Sequence, residues 1–238
     1  MLTRRRLVLL SGGLLAVAAF HRVAIHTPPG PRSLKAFDPD RMAELEVGMW
    51  QAYYRKERLR LFALLVTILH EQYRYTWSRA WGAGFHLARA ASAFGDARAG
   101  YERVLPDLES AYASAKEWTG AGYDPAAVAR AELAWWIARR VPSQSSPENV
   151  GRLIGEEYAL LYEVPQERVR PAGLLRAQAG ALRDAGGAEA DWTAVSRLLR
   201  DSYRSLRGAV TAGSARPSPP RGSAGARRRR SRSARSAP

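Results

Sequence analysis

Between residues 37 and 210 the apolar positions recur at intervals of three and four, the period of a helix packed on one face. Leu45, Met49, Trp50, Tyr53 and Tyr54 follow this spacing, and Leu61, Leu64, Leu65, Ile68 and Leu69 continue it. No alternating β-branched runs of the kind a sheet requires interrupt the pattern. Alanine, leucine, arginine and glutamate, all strong helix formers, fill the stretch instead. Three helix starts share one device. Phe37-Asp38-Pro39 offers an Asp cap, a Pro at the first helical position and an apolar residue placed to staple onto Met42. Tyr123-Asp124-Pro125 repeats it, with Tyr123 facing Val128, and Ser146-Pro147 supplies a third start.

The punctuation predicts a long helical stretch over 39–80, with a kink allowed, then helices over 83–94 and 97–118, the latter interrupted or restarted at Pro106. Helices over 125–140, 147–162, 165–185 (with Pro171 as a kink) and 191–210 complete the set. Short connections such as Thr119-Gly120-Ala121-Gly122 favour antiparallel neighbours. The expected fold is therefore all-α, a multi-helix antiparallel bundle of about six to eight helices. Stacked helix pairs of the α-solenoid type are the alternative, although no tetratricopeptide-like self-similarity is visible.

Composition adds a core and subtracts several chemistries. With 46% hydrophobic residues the chain can bury a core, and with no cysteine it has no disulfide, no thiol nucleophile and no cysteine-held zinc or iron–sulfur centre. The formal charge of +15 is uneven. Residues 1–35 carry Arg4, Arg5, Arg6, Arg22, Arg32 and Lys35 without an acid, and residues 211–238 carry eight arginines without an acid. All 22 acidic residues lie in 36–210, which is nearly neutral. Only the ends therefore fit a polyanionic partner.

The ends divide the chain into segments. Residues 1–25 read as a signal-like or membrane-anchor segment: Arg4–Arg6, then the apolar run Leu7–Phe20, with Ala16-Val17-Ala18 as a candidate cleavage site. Thr3-Arg4-Arg5-Arg6-Leu7 resembles a twin-arginine export signal, and an ordinary N-terminal helix is the alternative. Residues 26–36, with Pro28, Pro29, Gly30 and Pro31, read as a proline-rich linker or an irregular arm lying on the domain. The helical domain follows over 37–210. The tail, 211–238, has nothing large and apolar to bury and reads as disordered. Its Arg227, Arg228, Arg229 and Arg230 form a block for anionic surfaces, but without interleaved aromatics it offers no platform for stacked bases. We read it as a solvated tail and do not expect nucleic-acid binding.

No P-loop, Gly-x-Ser-x-Gly elbow, Glu-x-x-His or His-x-x-x-His occurs, and Gly82-Ala83-Gly84 lacks the third glycine of a dinucleotide loop. No metal or cofactor is expected, and no residue is assigned as catalytic. What remains is a candidate buried polar cluster of Glu46, Trp50, Tyr54, His70, Glu71, Arg74, Glu132, Trp136 and Arg139. Such carboxylates and indoles would either line a pocket, where burial raises carboxyl pKa values, or serve the core. In the second case Glu46, Glu71 and Glu132 would pair with Arg74 or Arg139.

Phe37-Asp38-Pro39, Met49-Trp50-Gln51-Ala52-Tyr53-Tyr54, Glu132-Leu133-Ala134-Trp135-Trp136 and Ser202-Tyr203-Arg204 together resemble a family of uncharacterised bacterial all-helical proteins. The resemblance covers roughly 37–210 and implies no activity. The first expectation is a non-enzymatic helical domain that binds a protein partner, exported to or tethered at the bacterial cytoplasmic membrane or periplasm through its N-terminal segment. The alternative is a ligand-binding protein or enzyme with a Glu/His/Trp-lined cavity for a small molecule. A cytoplasmic location is the alternative address.

Overall fold

The computed structural model describes residues 21–212, so the apolar run Leu7–Phe20 and the arginine block Arg227–Arg230 lie outside the described residues. Between residues 39 and 211 the chain forms eight α-helices and no strand. We label them α1 (Pro39–Tyr54), α2 (Arg58–Tyr73), α3 (Trp77–Asp96), α4 (Leu105–Thr119), α5 (Pro125–Ala138), α6 (Pro147–Tyr162), α7 (Gln166–Gly186) and α8 (Trp192–Thr211). Short 3₁₀ turns at Tyr101–Val104 and Gly187–Glu189 precede α4 and α8.

The predicted caps form. The Asp38 carboxylate accepts from the Asp40 and Arg41 amides at 2.9 and 3.0 Å, with Pro39 opening α1. Asp124 and Ser146 do the same for α5 and α6, and Asp191 caps α8 by accepting from Thr193 and Ala194. The long stretch predicted over 39–80 is instead three pieces. Lys56 (φ 58°) breaks it after α1 and Arg74 (φ 61°) ends α2, both in the left-handed region that no pattern of apolar residues announces. The predicted break at Gly82–Gly84 is absent. These glycines lie inside α3, where Gly84 packs so closely on Val66 that a β-carbon would lie 2.8 Å from its methyl. Pro106 sits in the first turn of α4, where it donates nothing that is missed.

Each helix packs mainly on its neighbours in sequence, and α8 returns to pack on α1. That closure makes the bundle a ring and distinguishes it from an open solenoid, whose ends do not meet. One large apolar cluster spans the ring, with Met42, Tyr75, Val128, Ile154, Leu199 and Leu206 fully buried. A smaller cluster of Phe94, Val104, Leu108 and Leu133 joins α3, α4 and α5. The irregular arm before α1 runs across the bundle: Leu34 is buried, and the Arg32 guanidinium lies 3.9 Å from the Trp118 ring centre. Among the described residues no helix is long and apolar enough to cross a membrane.

Candidate functional site

The ring interior is not wholly apolar. Glu46, on the inner face of α1, is 1% exposed and meets Arg176 of α7, whose Nε donates to Oε1 at 3.0 Å and whose second nitrogen also contacts it. The Trp50 indole, one turn on, donates to the same oxygen at 3.1 Å. Oε2 of Glu46 has no partner among the described residues. Across the ring, Trp135 of α5 donates to Glu157 of α6 at 2.6 Å. Tyr112 of α4 lies 2.7 Å from Glu132 and 3.3 Å from Glu157.

A hydroxyl has one proton to give. Tyr112 therefore serves both carboxyls only if it donates to one while the other, protonated, donates to it. The electrostatics agree. Loss of solvent, reinforced by the Glu157 carboxylate, pushes the Glu132 carboxyl up to about 8. Glu157 is raised as well, chiefly by burial, with Arg176 opposing. Three interior carboxyls thus face one guanidinium, and a proton retained on Glu132 reduces the excess of negative charge.

A cavity of about 450 Å³ opens beside this network. Glu132, Trp135 and Arg176 form its inner end, and Glu132 owes its partial exposure to the cavity. Met49, Leu61, Leu65, Leu87, Phe94 and Trp136 make its walls. Its mouth is set by the ends of α1, α3 and α5 and the start of α2, at Tyr53, Tyr54, Lys56, Arg58, Asp96, Arg139 and Arg140. Ion pairs brace this rim. Arg58 meets Asp96 at 2.9 Å, and Arg139 meets Asp184 at 2.7 Å while also donating to the Tyr54 hydroxyl at 3.0 Å. Arg140 lies over the Phe94 ring at 3.9 Å and donates to the Ala97 carbonyl. The C-terminal ends of α1 and α5 at the rim favour such cations.

The nine residues singled out in the sequence fall into two groups. Glu46 and Trp50 belong to the interior network, and Trp50, Tyr54, Glu132, Trp136 and Arg139 line the cavity. His70, Glu71 and Arg74 do not reach it. His70 is buried against Trp77, ring centres 3.7 Å apart, and its Nδ1–H donates to the Tyr75 carbonyl at 2.8 Å, while burial lowers its pKa. Glu71 pairs with Arg41 at 2.9 Å, and Arg74 turns the chain after α2 against Gly30.

The expected pairing of Glu46, Glu71 and Glu132 with Arg74 or Arg139 is corrected accordingly: the partners are Arg176, Arg41 and Tyr112. Arg176 carried no signal, since Glu46 lies 130 residues away and α7 reads as a weakly patterned helix. The polar position of Glu157 inside an apolar helix was the one available hint of its role. Among the described residues no three His, Asp or Glu side chains are grouped as a metal site. Comparison with family models, curated proteins and solved structures gives no match to this chain.

Proposed function

We propose that this protein binds a small, largely apolar molecule inside its helix ring, at the bacterial cell envelope. The cavity carries this reading: about 450 Å³, apolar along its walls and ending in a few convergent polar groups, it has the size and make-up of a ligand pocket. A protonated Glu132 and the Arg176 guanidinium at its inner end can donate hydrogen bonds to a polar group at one end of the ligand. Among the described residues none stands in a nucleophile–base arrangement at the cavity, and the reading is therefore one of binding.

The test uses the full chain and an anilinonaphthalene sulfonate dye as probe. Saturable one-to-one binding is expected, lost in Leu65→Trp, which fills the cavity, and kept in Trp81→Ser on the outer surface. Absence of saturable binding, or binding unaffected by Leu65→Trp, overturns the reading.

The address rests on Arg4–Arg6 followed by Leu7–Phe20, the charge-then-apolar order of an export signal or anchor. Fractionation of the native host with N-terminal sequencing tests it. A membrane-bound or cleaved envelope product supports it, and an uncleaved chain in the cytosol sinks it. A protein partner, the first expectation from sequence, has less to recommend it than the cavity.

A further inference from the structure

The surface beside the cavity mouth combines two features seldom found together on a solvated helix. The turn from α1 into α2 reads Arg55-Lys56-Glu57-Arg58-Leu59-Arg60, four cations with one carboxylate, and Leu59 is 86% exposed at its centre. Glu57 is engaged by Arg60 at 3.0 Å and Arg58 by Asp96, while Arg55 and Lys56 have no carboxylate within ion-pair distance among the described residues. One turn beyond Leu59, Phe62 meets Trp81 of α3 edge-on, ring centres 5.1 Å apart. Trp81 is 58% exposed, and Phe85, the next turn along, 54%. An apolar strip thus leads away from a basic rim.

We propose that this end of the bundle docks on an anionic lipid surface, with Leu59 inserted among the acyl chains, Trp81 and Phe85 at headgroup level and the Arg55–Arg60 turn on the lipid phosphates. Charge decides for lipid over protein. An excess of cations around a protruding leucine complements a uniformly anionic surface, where each Lys or Arg adds about 1 kcal/mol, or roughly fivefold in affinity. Trp in an exposed aromatic strip suits the interface, where its ring is half apolar and its N–H is wet. A protein partner would have to supply both a pocket for Leu59 and carboxylates for the cations around it, whereas an anionic bilayer offers acyl chains and phosphates over its whole surface. Docking does not depend on what the cavity holds. Because Lys56 and Arg58 belong to both the cavity rim and this turn, it would also place the mouth on the membrane.

The chain has no cysteine, so one introduced residue carries a unique nitroxide label. The full-length protein labelled at Leu59→Cys is compared with Glu167→Cys, an exposed site at the far end of α7 from Asp184 on the rim. The N-terminal apolar run and the arginine tail can bring either variant to a vesicle, so the readout is depth at the label and not vesicle binding. On phosphatidylglycerol-containing vesicles the label at 59 should become accessible to oxygen and shielded from a water-soluble nickel relaxant, with the label at 167 unchanged. On pure phosphatidylcholine the protection at 59 should weaken. Arg55→Gln and Lys56→Gln should each reduce the protected fraction as a roughly fivefold loss of affinity would. A label at 59 that stays as water-accessible as that at 167 overturns the proposal. So does protein-concentration-dependent broadening at 59 without vesicles, which would make a second copy of the chain the occupant.

Discussion

Where α6 meets α7, Gly151, Gly155 and Gly173 let two backbones touch: a β-carbon on Gly173 would lie 2.5 Å from the Gly151 carbonyl oxygen and 2.9 Å from the Gly155 nitrogen. Where α1, α3 and α5 face one another, Trp50, Phe94 and Trp136 stand between the helices and the cavity remains. Both regions belong to the same ring and are bounded by helices of ordinary length. Side-chain size at the facing positions sets the difference. Small residues allow an axis separation that leaves no room for solvent, whereas rigid aromatic rings hold the helices off and cannot fill the space they create. The closed seam excludes solvent from between its two helices, and the propped side gives the ring an interior.

The seam is where the comparison breaks most sharply. Gly173→Leu requires α6 and α7 to separate by more than a methyl group along their closest contact, and denaturant titration should show a loss of at least about 3 kcal/mol or no folded protein. Gly151→Ala should be milder but still destabilising, because its β-carbon would meet the Leu174 Cα at 2.7 Å and backbone cannot step aside as a side chain can. A Gly173→Leu variant with native stability would show that the close approach does not govern the seam.

Next in size is the ion pair that bridges seam and cavity. Arg176 reaches from α7 to Glu46, and Arg176→Met would leave that carboxylate 1% exposed with the Trp50 indole as its remaining donor. Breaking such a pair from one side costs about 3–5 kcal/mol, measured by the same titration. Replacing both, as Glu46→Leu with Arg176→Met, should recover most of the loss, since two apolar residues need no solvent. If the double variant is as unstable as the single one, packing and not the stranded charge is responsible.

These two regions were unequally legible in the sequence. Caps at Asp38, Asp124 and Ser146 are local, a side chain satisfying amides two or three residues away, so their signatures could be read directly. The turns at Lys56 and Arg74 were invisible because left-handed backbone at a long-chain residue is imposed by packing and not by preference. Within α3 the glycines at 82 and 84 looked like a break, yet Gly84 is there to admit Val66. Trp50, Tyr54, Glu132, Trp136 and Arg139 could be suspected of sharing a pocket because polar and indole positions sat inside apolar helices. Which acid meets which base could not, since Glu46–Arg176 and Glu71–Arg41 are long-range pairings that no helical spacing encodes.

A smaller effect separates the interior carboxyls from the apolar seam by pH. In the folded protein Glu132 holds its proton up to about 8, against an ordinary value of 4.5. Its folded pKa is the higher one, so the stabilisation it contributes is complete below the unfolded value and is lost as pH rises through the folded one. The groups facing it are Tyr112 from α4, Glu157 from α6, Arg176 from α7 and Glu46 from α1. Between pH 6.5 and 9, where His70 adds only the last part of a smaller change of opposite sign, the melting temperature should fall by about 5 °C, as expected for a shift of one to two kcal/mol in a domain of this size. Glu132→Gln, neutral at every pH, should flatten that slope, and Gly151→Ala should lower the whole curve without changing it.

The smallest expected change in stability tests the propped side alone. Leu65→Trp or Leu87→Phe adds atoms to the cavity without pressing on a packed neighbour, so the space should absorb them for less than about 1.5 kcal/mol of either sign. At a filled core position the same enlargement would cost more, and Val66→Phe, against Gly84, serves as that reference. Stability and occupancy are thereby separated: the cavity-filling variants should stay within a few degrees of the parent's melting temperature and lose the dye, whereas Val66→Phe should lose stability first. If Leu65→Trp is as damaging as Val66→Phe, the space beside Glu132 is not free volume held open by aromatic rings, and the contrast between the two sides of the ring fails with it.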